Sequence, residues 1–440
     1  MPGDKSIAHR WLILAATARG RSRLEALPPS LDVRSTATCL SVICPSAGRA
    51  LAAWVAEGEV QVPRSFEPSS GKGETRDAGP VLEVEGVGRR GLVEAPTELD
   101  CGNSGTTMRL LAGVVAPLPF RTVLVGDRSL MQRPLERVAV PLRAMGARVT
   151  TRGGRPPLVV EGGPLRGIHH RPEVPSAQVK GCLLLAGLDA EGRTEVEEAV
   201  PTRDHTERAL AALGAPVEVG PGRVAVAPFQ HEGFAARVPG DVSGAAFLVA
   251  AAILTGGELA VADVGLNPSR TAFLGVLARM GAPVAAAPAR AELGEPVGEL
   301  RVGAAGRLRG VTVGAEELPQ VIDEVPVLAA LAVHAEGPSR FAGAAELRVK
   351  EVDRLSGLAE ELRGLGAEAE VEGDDLLVGG GGCRGGTAQG RGDHRLAMAL
   401  CVAALAARRP STIEGVEAAA VSFPGFPAAL AGLGAAVEVT

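Results

Sequence analysis

One segment recurs five times and restricts the fold more than any other feature of the chain. It is a helix ending in Leu-x-x-(Leu/Met)-Gly-Ala-x-(Val/Ala), at 142–149, 210–217, 277–284, 362–369 and 430–437. Its glycines, Gly146, Gly214, Gly281, Gly366 and Gly434, are spaced 68, 67, 85 and 68 residues apart. A glycine just past a helix suits a left-handed C-cap, and a strand is expected to follow. A fixed period marks a repeated supersecondary unit. A unit of this length holds roughly two helices and several strands. Five clean copies predict six units, the first degenerate, with 38–44 as the remnant of its signature. Pro228, Gly233, Pro239 and Gly240 punctuate 223–241, where the chain is expected to pass from the first three units to the last three.

Composition excludes several classes of function. Aromatic residues make up 2% of the 440 residues and tyrosine is absent, so the core must be built from Ala, Leu and Val. Base-stacking platforms for nucleic acid are excluded on the same ground. The net charge of −6 gives no global field for anions, so an anionic substrate needs a local cluster of Lys and Arg. No apolar run is long enough for a membrane span. Charges at Asp4 and Lys5 argue against a signal peptide. The six cysteines lack metal-ligand spacing and read as reduced core thiols of a cytoplasmic protein. Pro63, Pro68, Ser69, Ser70 and Gly71 make much of 45–90 read as a surface loop, an insertion. Gly71-Lys72-Gly73 lacks the glycine approach of a phosphate-binding P-loop.

Six stretches carry candidate chemistry. The chain opens on Pro2-Gly3-Asp4-Lys5-Ser6, followed by Arg10 and an apolar run. Asp4 is a good N-cap, and a helix N-terminus with two cations and a hydroxyl makes an anion cradle. Asp100-Cys101-Gly102-Asn103-Ser104-Gly105-Thr106 pairs another helix start with small residues that let an anion approach backbone N–H groups. Gly126-Asp127-Arg128-Ser129-Leu130-Met131-Gln132-Arg133-Pro134 and Pro175-Ser176-Ala177-Gln178-Val179-Lys180 follow. The last two are Arg348-Val349-Lys350-Glu351-Val352-Asp353-Arg354 and Gly392-Asp393-His394-Arg395.

In this order the six stretches resemble the enolpyruvyl transferases of the shikimate pathway, the 3-phosphoshikimate 1-carboxyvinyltransferase (EPSP synthase) family, over nearly the whole chain. The resemblance implies an α/β fold of two similar domains, each of three βαβαββ units around buried helices, an inside-out α/β barrel. It implies transfer of the enolpyruvyl group of phosphoenolpyruvate to the 5-hydroxyl of 3-phosphoshikimate, with release of phosphate, by addition and elimination. No cofactor or metal is implied, and the partners are these two small molecules alone, bound by a monomer.

The resemblance also assigns residues. Lys5, Ser6, Arg10, Ser176, Ala177, Gln178, Arg203, Asp323 and Lys350 are expected to hold 3-phosphoshikimate. Lys5, Asn103, Gly105, Arg133, Gln178, Arg354 and Arg395 are expected to hold phosphoenolpyruvate. Asp323, Glu351 and Lys5 are the expected catalytic groups, with Asp323 at the 5-hydroxyl and Glu351 moving the proton at C3. Arginine suits the clamps because its fork pairs bidentately with carboxylate and phosphate. Lys350 and Glu351 are expected at a strand–helix junction, and Arg354 one helical turn beyond Lys350. His205 reads as a structural hydrogen-bonding residue, and 241–247 as a capped buried helix. These residues divide between the two halves, so the site is expected in the cleft between them.

The chain departs from the family in three places. No basic residue precedes Ser422-Phe423-Pro424, Glu346 stands where some relatives have Asn, and only Met1–Gly3 precede Asp4. Residues 1–3 therefore read as the remnant of a strand of the second domain. The first domain is expected over 4–230, with its insertion at about 45–90, and the second over 231–440. Two readings compete: a ligand-binding remnant without turnover, and the sister enzyme acting on UDP-N-acetylglucosamine.

Overall fold

The structure, a computed structural model, describes residues 1–60, 81–282, 284–303 and 306–439. Its core is a set of helices with no polar face. Lys5–Thr17, Gly105–Val115, Ala177–Gly187, Val242–Thr255, Val325–Val333 and His394–Leu405 are buried along nearly their whole length. Beyond their first turns these helices are mostly apolar on every side, and such a helix has to be enclosed. Around them lie small sheets and amphipathic outer helices such as Glu136–Met145 and Arg354–Gly364. Close packing demands small residues inside: a Cβ on Gly113 would lie 2.2 Å from the Cys182 carbonyl oxygen of the neighbouring helix.

The repeat is visible in the sheets. The strand Leu99–Asp100 runs parallel to Arg121–Val125, which pairs antiparallel with Arg155–Glu161, itself in a hairpin with Arg148–Arg152. His169–His170, Thr194–Glu197, Arg223–Val226 and Val217–Gly220 repeat that order. Thr312–Val313, Ser339–Phe341, Asp375–Val378 and Ala369–Glu372 repeat it again. Each is a βαβαββ unit, and the fold is the expected two-part α/β arrangement of such units. All five signature glycines have left-handed backbone, from φ 77° at Gly366 to 114° at Gly146. A strand follows four of them. After Gly434 the described residues form none, so the sixth unit keeps only the parallel pair Thr387–Gln389 and Thr412–Glu414.

The stretch 45–90 differs from its reading as a loop. A helix spans Gly48–Val60 and a strand spans Val81–Val87. Leu51 and Trp54, one helical turn apart, pack into the core, as do Leu82 and Val84 on the inner face of the strand. Apolar periodicity at its two ends outweighs the Pro, Gly and Ser punctuation. The centre of the expected insertion, including Gly71-Lys72-Gly73, lies outside the described residues.

Two hydrophobic cores divide the chain, one ending at Val238 and the next starting at Val242. We place the division of the chain between them. The strand Ala235–Arg237 still pairs with Arg23–Glu25 of the first half. Gly240 then bridges Gly3 on one side and Val264 on the other. The opening residues run beside this crossing: Asp4 N–H donates to the Pro239 carbonyl at 2.6 Å and Asp241 N–H to the Pro2 carbonyl at 2.9 Å.

Polar groups fill this junction. Arg270 donates to Asp4 Oδ2 at 2.9 Å, Asp241 Oδ1 at 3.2 Å and Ser243 Oγ at 2.7 Å. His205 Nδ1 lies 2.8 Å from Glu295 Oε1, and Asn267 donates to Glu295 Oε2 at 2.9 Å. His205 is thus a buried hydrogen-bonding residue of this junction. Burial pushes the Glu295 carboxyl up to about 7, with Asn267 opposing and the charges of Asp4 and Asp204 adding to the rise. A carboxyl with a raised folded-state pKa favours folding below its ordinary value of about 4.3, and that contribution is lost as pH rises toward 7. Between pH 5 and 7, stability relative to Glu295→Gln is expected to fall by up to ~1.4 kcal/mol per pH unit. Urea unfolding of both proteins at pH 5, 6, 7 and 8 checks this, and a difference that does not change with pH would contradict it.

Candidate active site

Five of the six buried helices start at one cavity of about 800 Å³ between the halves. Lys5, Gly105, Ala177 and His394 are the first residues of four of these helices, and Asp323 lies two residues before the fifth. Short polar residues cap four of them: Asp4 accepts from Ile7 N–H, Ser104 from Thr107 N–H, Ser176 from Val179 N–H, and Asp393 from two N–H groups. Helix N-termini carry partial positive charge and free N–H groups, so their convergence favours anions.

The first half supplies a wall of cations and amides. Lys5 Nζ donates to Asp32 Oδ2 at 2.9 Å. Arg133 Nη2 donates to Asn103 Oδ1 at 2.8 Å, and Asn103 Nδ2 to Asp127 Oδ2 at 2.7 Å. Gln178 Oε1 accepts from Arg109 at 2.7 Å while its Nε2 donates to Thr106 Oγ1 at 2.8 Å, which fixes the orientation of its amide. Arg203 comes from the loop before the helix His205–Ala212 and donates to Asp323 Oδ2 across the cleft. That loop is tied by Lys180, whose buried ammonium meets Glu198 at 2.7 Å and Glu207 at 2.8 Å.

The second half supplies Asp323 and Glu351, with the cations that hold them. Asp323 faces Arg203, Arg395 at 3.7 Å and Arg354 at 3.9 Å. Burial alone would raise its carboxyl, but Arg395, Arg203, Lys350 and Arg354 hold it well below the usual range. Glu351 Oε2 accepts from Arg354 Nη2 at 2.6 Å. Burial would raise this carboxyl too, but Arg354 foremost holds it far below the ordinary value. Arg354 also donates to Asp393 at 2.9 Å, so the cap of one helix anchors the guanidinium at the start of another. Arg395 donates to the Asp323 carbonyl at 2.8 Å. Lys350 is lowered from its ordinary value, first by burial.

The structure brings together nearly all of the residues expected from sequence. Lys5, Ser6, Gly105, Arg133, Ser176, Ala177 and Gln178 line the cavity from the first half, with Arg203. Asp323, Lys350, Glu351, Arg354 and Arg395 line it from the second. Arg10 and Asn103 are the exceptions. Arg10 is buried behind the wall, donating to Thr206 Oγ1 at 2.8 Å and to the Ser6 carbonyl at 2.8 Å. Asn103 touches the site through Arg133. The link carrying Lys350 and Glu351 also differs from expectation. It joins a short 3-10 turn, Ala345–Val349, to a helix that begins at Arg354. Lys350 is therefore not a helical turn from Arg354. Asp353 caps that helix, accepting from Ser356 N–H.

Sequence reasoning gave no role to Asp32, Arg109, Arg137 and His394, which also line the cavity. Arg137 pairs with Glu346 across the cleft at 3.4 Å. Three buried nitrogens of lining residues have no hydrogen-bond partner among the described residues: Arg133 Nε, Arg354 Nη1 and His394 Nε2. A buried unsatisfied polar atom costs about 1–3 kcal/mol. The two guanidinium nitrogens can only donate and carry positive charge, which suits an anionic ligand.

Comparison with known proteins agrees. The family model described as EPSP synthase (3-phosphoshikimate 1-carboxyvinyltransferase) matches residues 1–65 and 72–430. The chain is 45% identical to the 3-phosphoshikimate 1-carboxyvinyltransferase of Salinibacter ruber (strain DSM 13855 / M31), over 97% of this chain and 94% of that protein. It is 46% identical to the protein of that name from Gloeobacter violaceus (strain ATCC 29082 / PCC 7421), over 96% and 93%. A solved structure of EPSP synthase from Acinetobacter baumannii superposes with a TM-score of 0.82 at 35% identity, covering 100% of this chain and 96% of that one.

Proposed function

The chain belongs to the EPSP synthase family, and from that premise we propose how its residues divide the work. The reaction transfers the enolpyruvyl group of phosphoenolpyruvate to 3-phosphoshikimate and releases phosphate, in aromatic amino-acid biosynthesis. The acceptor's 5-hydroxyl adds to C2 of the donor while C3 gains a proton, giving a tetrahedral ketal phosphate. C3 then loses a proton, the C2–O bond to phosphate breaks, and the double bond re-forms. The observation that carries this reading is the pairing of Asp323 and Glu351 with arginines inside one cavity whose walls come from both halves.

In this scheme Lys5, Ser6, Ser176, Ala177, Gln178 and Arg203 hold the acceptor, with Asp323 taking the proton of its 5-hydroxyl and Lys350 beside it. Arg133, Arg354 and Arg395 clamp the donor, and Asn103 acts on it through Arg133. Gly105 leaves room for the donor to approach the helix N-terminus, and Gln178 and Lys5 touch both substrates. Arg10 supports the acceptor end from behind the wall.

The ion pairs of the free protein are the resting state of this machinery. Asp323 is a weak base while Arg203 holds it. A substrate phosphate taking Arg203 relieves that hold and strengthens the base. Glu351 is likewise bound to Arg354, and a donor carboxylate on Arg354 would let its carboxyl rise toward a value at which it can carry a proton. Both walls come from one chain, so we read the working unit as a monomer, and we place it in the cytoplasm.

The direct test is phosphate release, expected only when phosphoenolpyruvate and 3-phosphoshikimate are both present. Release from the donor alone, or none with both, would overturn the reading. Glu351→Gln keeps size and removes the titrating carboxyl. Turnover is expected to fall about 10²-fold, with little change in substrate binding by calorimetry. A near-normal rate would remove Glu351 from the proton path.

A further inference from the structure

We infer that Arg109 is a positioning residue for the donor end of the cavity, holding three donor-binding segments in register through one guanidinium. The inference rests on the reading of Arg133, Gly105 and Gln178 as donor ligands. Arg109 lies on the first turns of the helix Gly105–Val115 and lines the cavity. Its Nη1 donates to Gln178 Oε1 at 2.7 Å and to the Gly105 carbonyl at 3.2 Å, and its Nη2 stands 3.5 Å from the Pro134 carbonyl. Gly105 is the first residue of its helix, Pro134 follows Arg133, and Gln178 is the second residue of the next buried helix. Arg109 is the point at which the three meet.

Gly105 makes room for this arrangement, since a Cβ there would lie 2.6 Å from Arg109 Nη1. A planar fork can serve several acceptors at fixed angles, which a lysine ammonium on a flexible stem does less well. The arrangement also works against folding. Among the described residues Arg109 has no ion-pair partner, in contrast to Lys5, Arg203 and Arg354. Burial, then repulsion from Arg133 and Arg137, pulls its guanidinium down to about 10. An arginine with no ion-pair partner among the described residues, bonded to three site segments, is placed to hold those segments.

Arg109→Met leaves no carboxylate stranded, so the protein is expected to fold with a melting temperature equal to or above that of the parent. The KM for phosphoenolpyruvate should rise about tenfold, the effect of losing a hydrogen bond to a charged group. The dissociation constant of 3-phosphoshikimate alone, by calorimetry, should stay within twofold. Arg109→Lys keeps the charge, loses the fork, and should resemble the methionine variant. Native donor KM in either variant, or equal loss of both substrates with a lowered melting temperature, would overturn the inference. Arg133→Met is measured alongside. If it raises the donor KM and Arg109→Met does not, the inference fails alone. If neither variant moves it, the reading of the donor end fails as well.

Discussion

Asp323→Asn is expected to lower turnover by about 10²–10⁴-fold, the range for removing a general base, while 3-phosphoshikimate binds as tightly as before or more tightly. The two halves of this result have different causes. Asparagine is close in size to aspartate, so the cavity keeps its shape. What is lost is the only carboxylate facing Arg203 and Arg395 together within ion-pair distance among the described residues. Turnover is expected to fall because no other carboxylate among the described residues faces both arginines at that point. Binding holds because three guanidiniums lose a competitor for the substrate's anionic groups. Since the cations keep Asp323 well below the usual carboxylate range, it is ionised throughout the working pH range. An acid limb in the kcat/KM profile of the parent, which reports the free protein, must then come from another group. Steady-state phosphate release and calorimetry with 3-phosphoshikimate measure the two halves. Turnover within tenfold of the parent would show that Asp323 is not the base.

Arg270→Met is expected to cost about 3–5 kcal/mol of stability, the range for removing one partner of a buried ion pair. Arg270 is 3% exposed. Its guanidinium joins Asp4, the cap of the first buried helix, to Asp241, the cap of the helix that opens the second half. The variant leaves two buried carboxylates facing each other across the crossing. Burial alone would raise Asp241, and Arg270, with Arg395 behind it, holds it low. In the parent this depressed value contributes stability that is present above about pH 4 and lost as pH falls through the folded-state value. In the variant burial prevails and the carboxyl rises, so protonation relieves the defect. The deficit should therefore be largest at neutral pH and shrink below about pH 5. Guanidinium unfolding at pH 4.5 and pH 7 tests this. A loss under 1 kcal/mol at neutral pH, or a deficit that grows in acid, would show that Arg270 does not hold the halves together.

The sequence by itself determined the unit and its ends. Gly146, Gly214, Gly281, Gly366 and Gly434 mark helix ends because an αL C-cap is a local requirement, met within a few residues. Asp4 and the small residues of 102–106 mark two helix starts for the same reason, whereas the caps Ser176 and Asp393 became visible only in the structure. The cavity was legible to that extent, because helix starts and the residues beside them compose it. Where local signals conflicted, the reading failed. Pro, Gly and Ser outnumbered the apolar periodicity in 45–90, although Leu51 and Trp54 carried a helix into the core. The last signature predicted a strand after Gly434, but a strand needs a partner, and its pattern does not reveal whether one is within reach.

Tertiary structure alone decided which charges meet. Lys5 and Asp32 are 27 residues apart, Arg203 and Asp323 are 120, and Arg270 and Asp4 are 266. No periodicity encodes such pairs, because their geometry follows from the packing of six buried helices and the place where the chain crosses between halves. The same packing put Arg10 behind the wall and Arg109 in it, though both are arginines a few residues inside a helix that starts at the cavity. An ion pair fixes itself only after both backbones are in place, and a Coulomb energy that falls with distance makes its strength a property of the folded molecule.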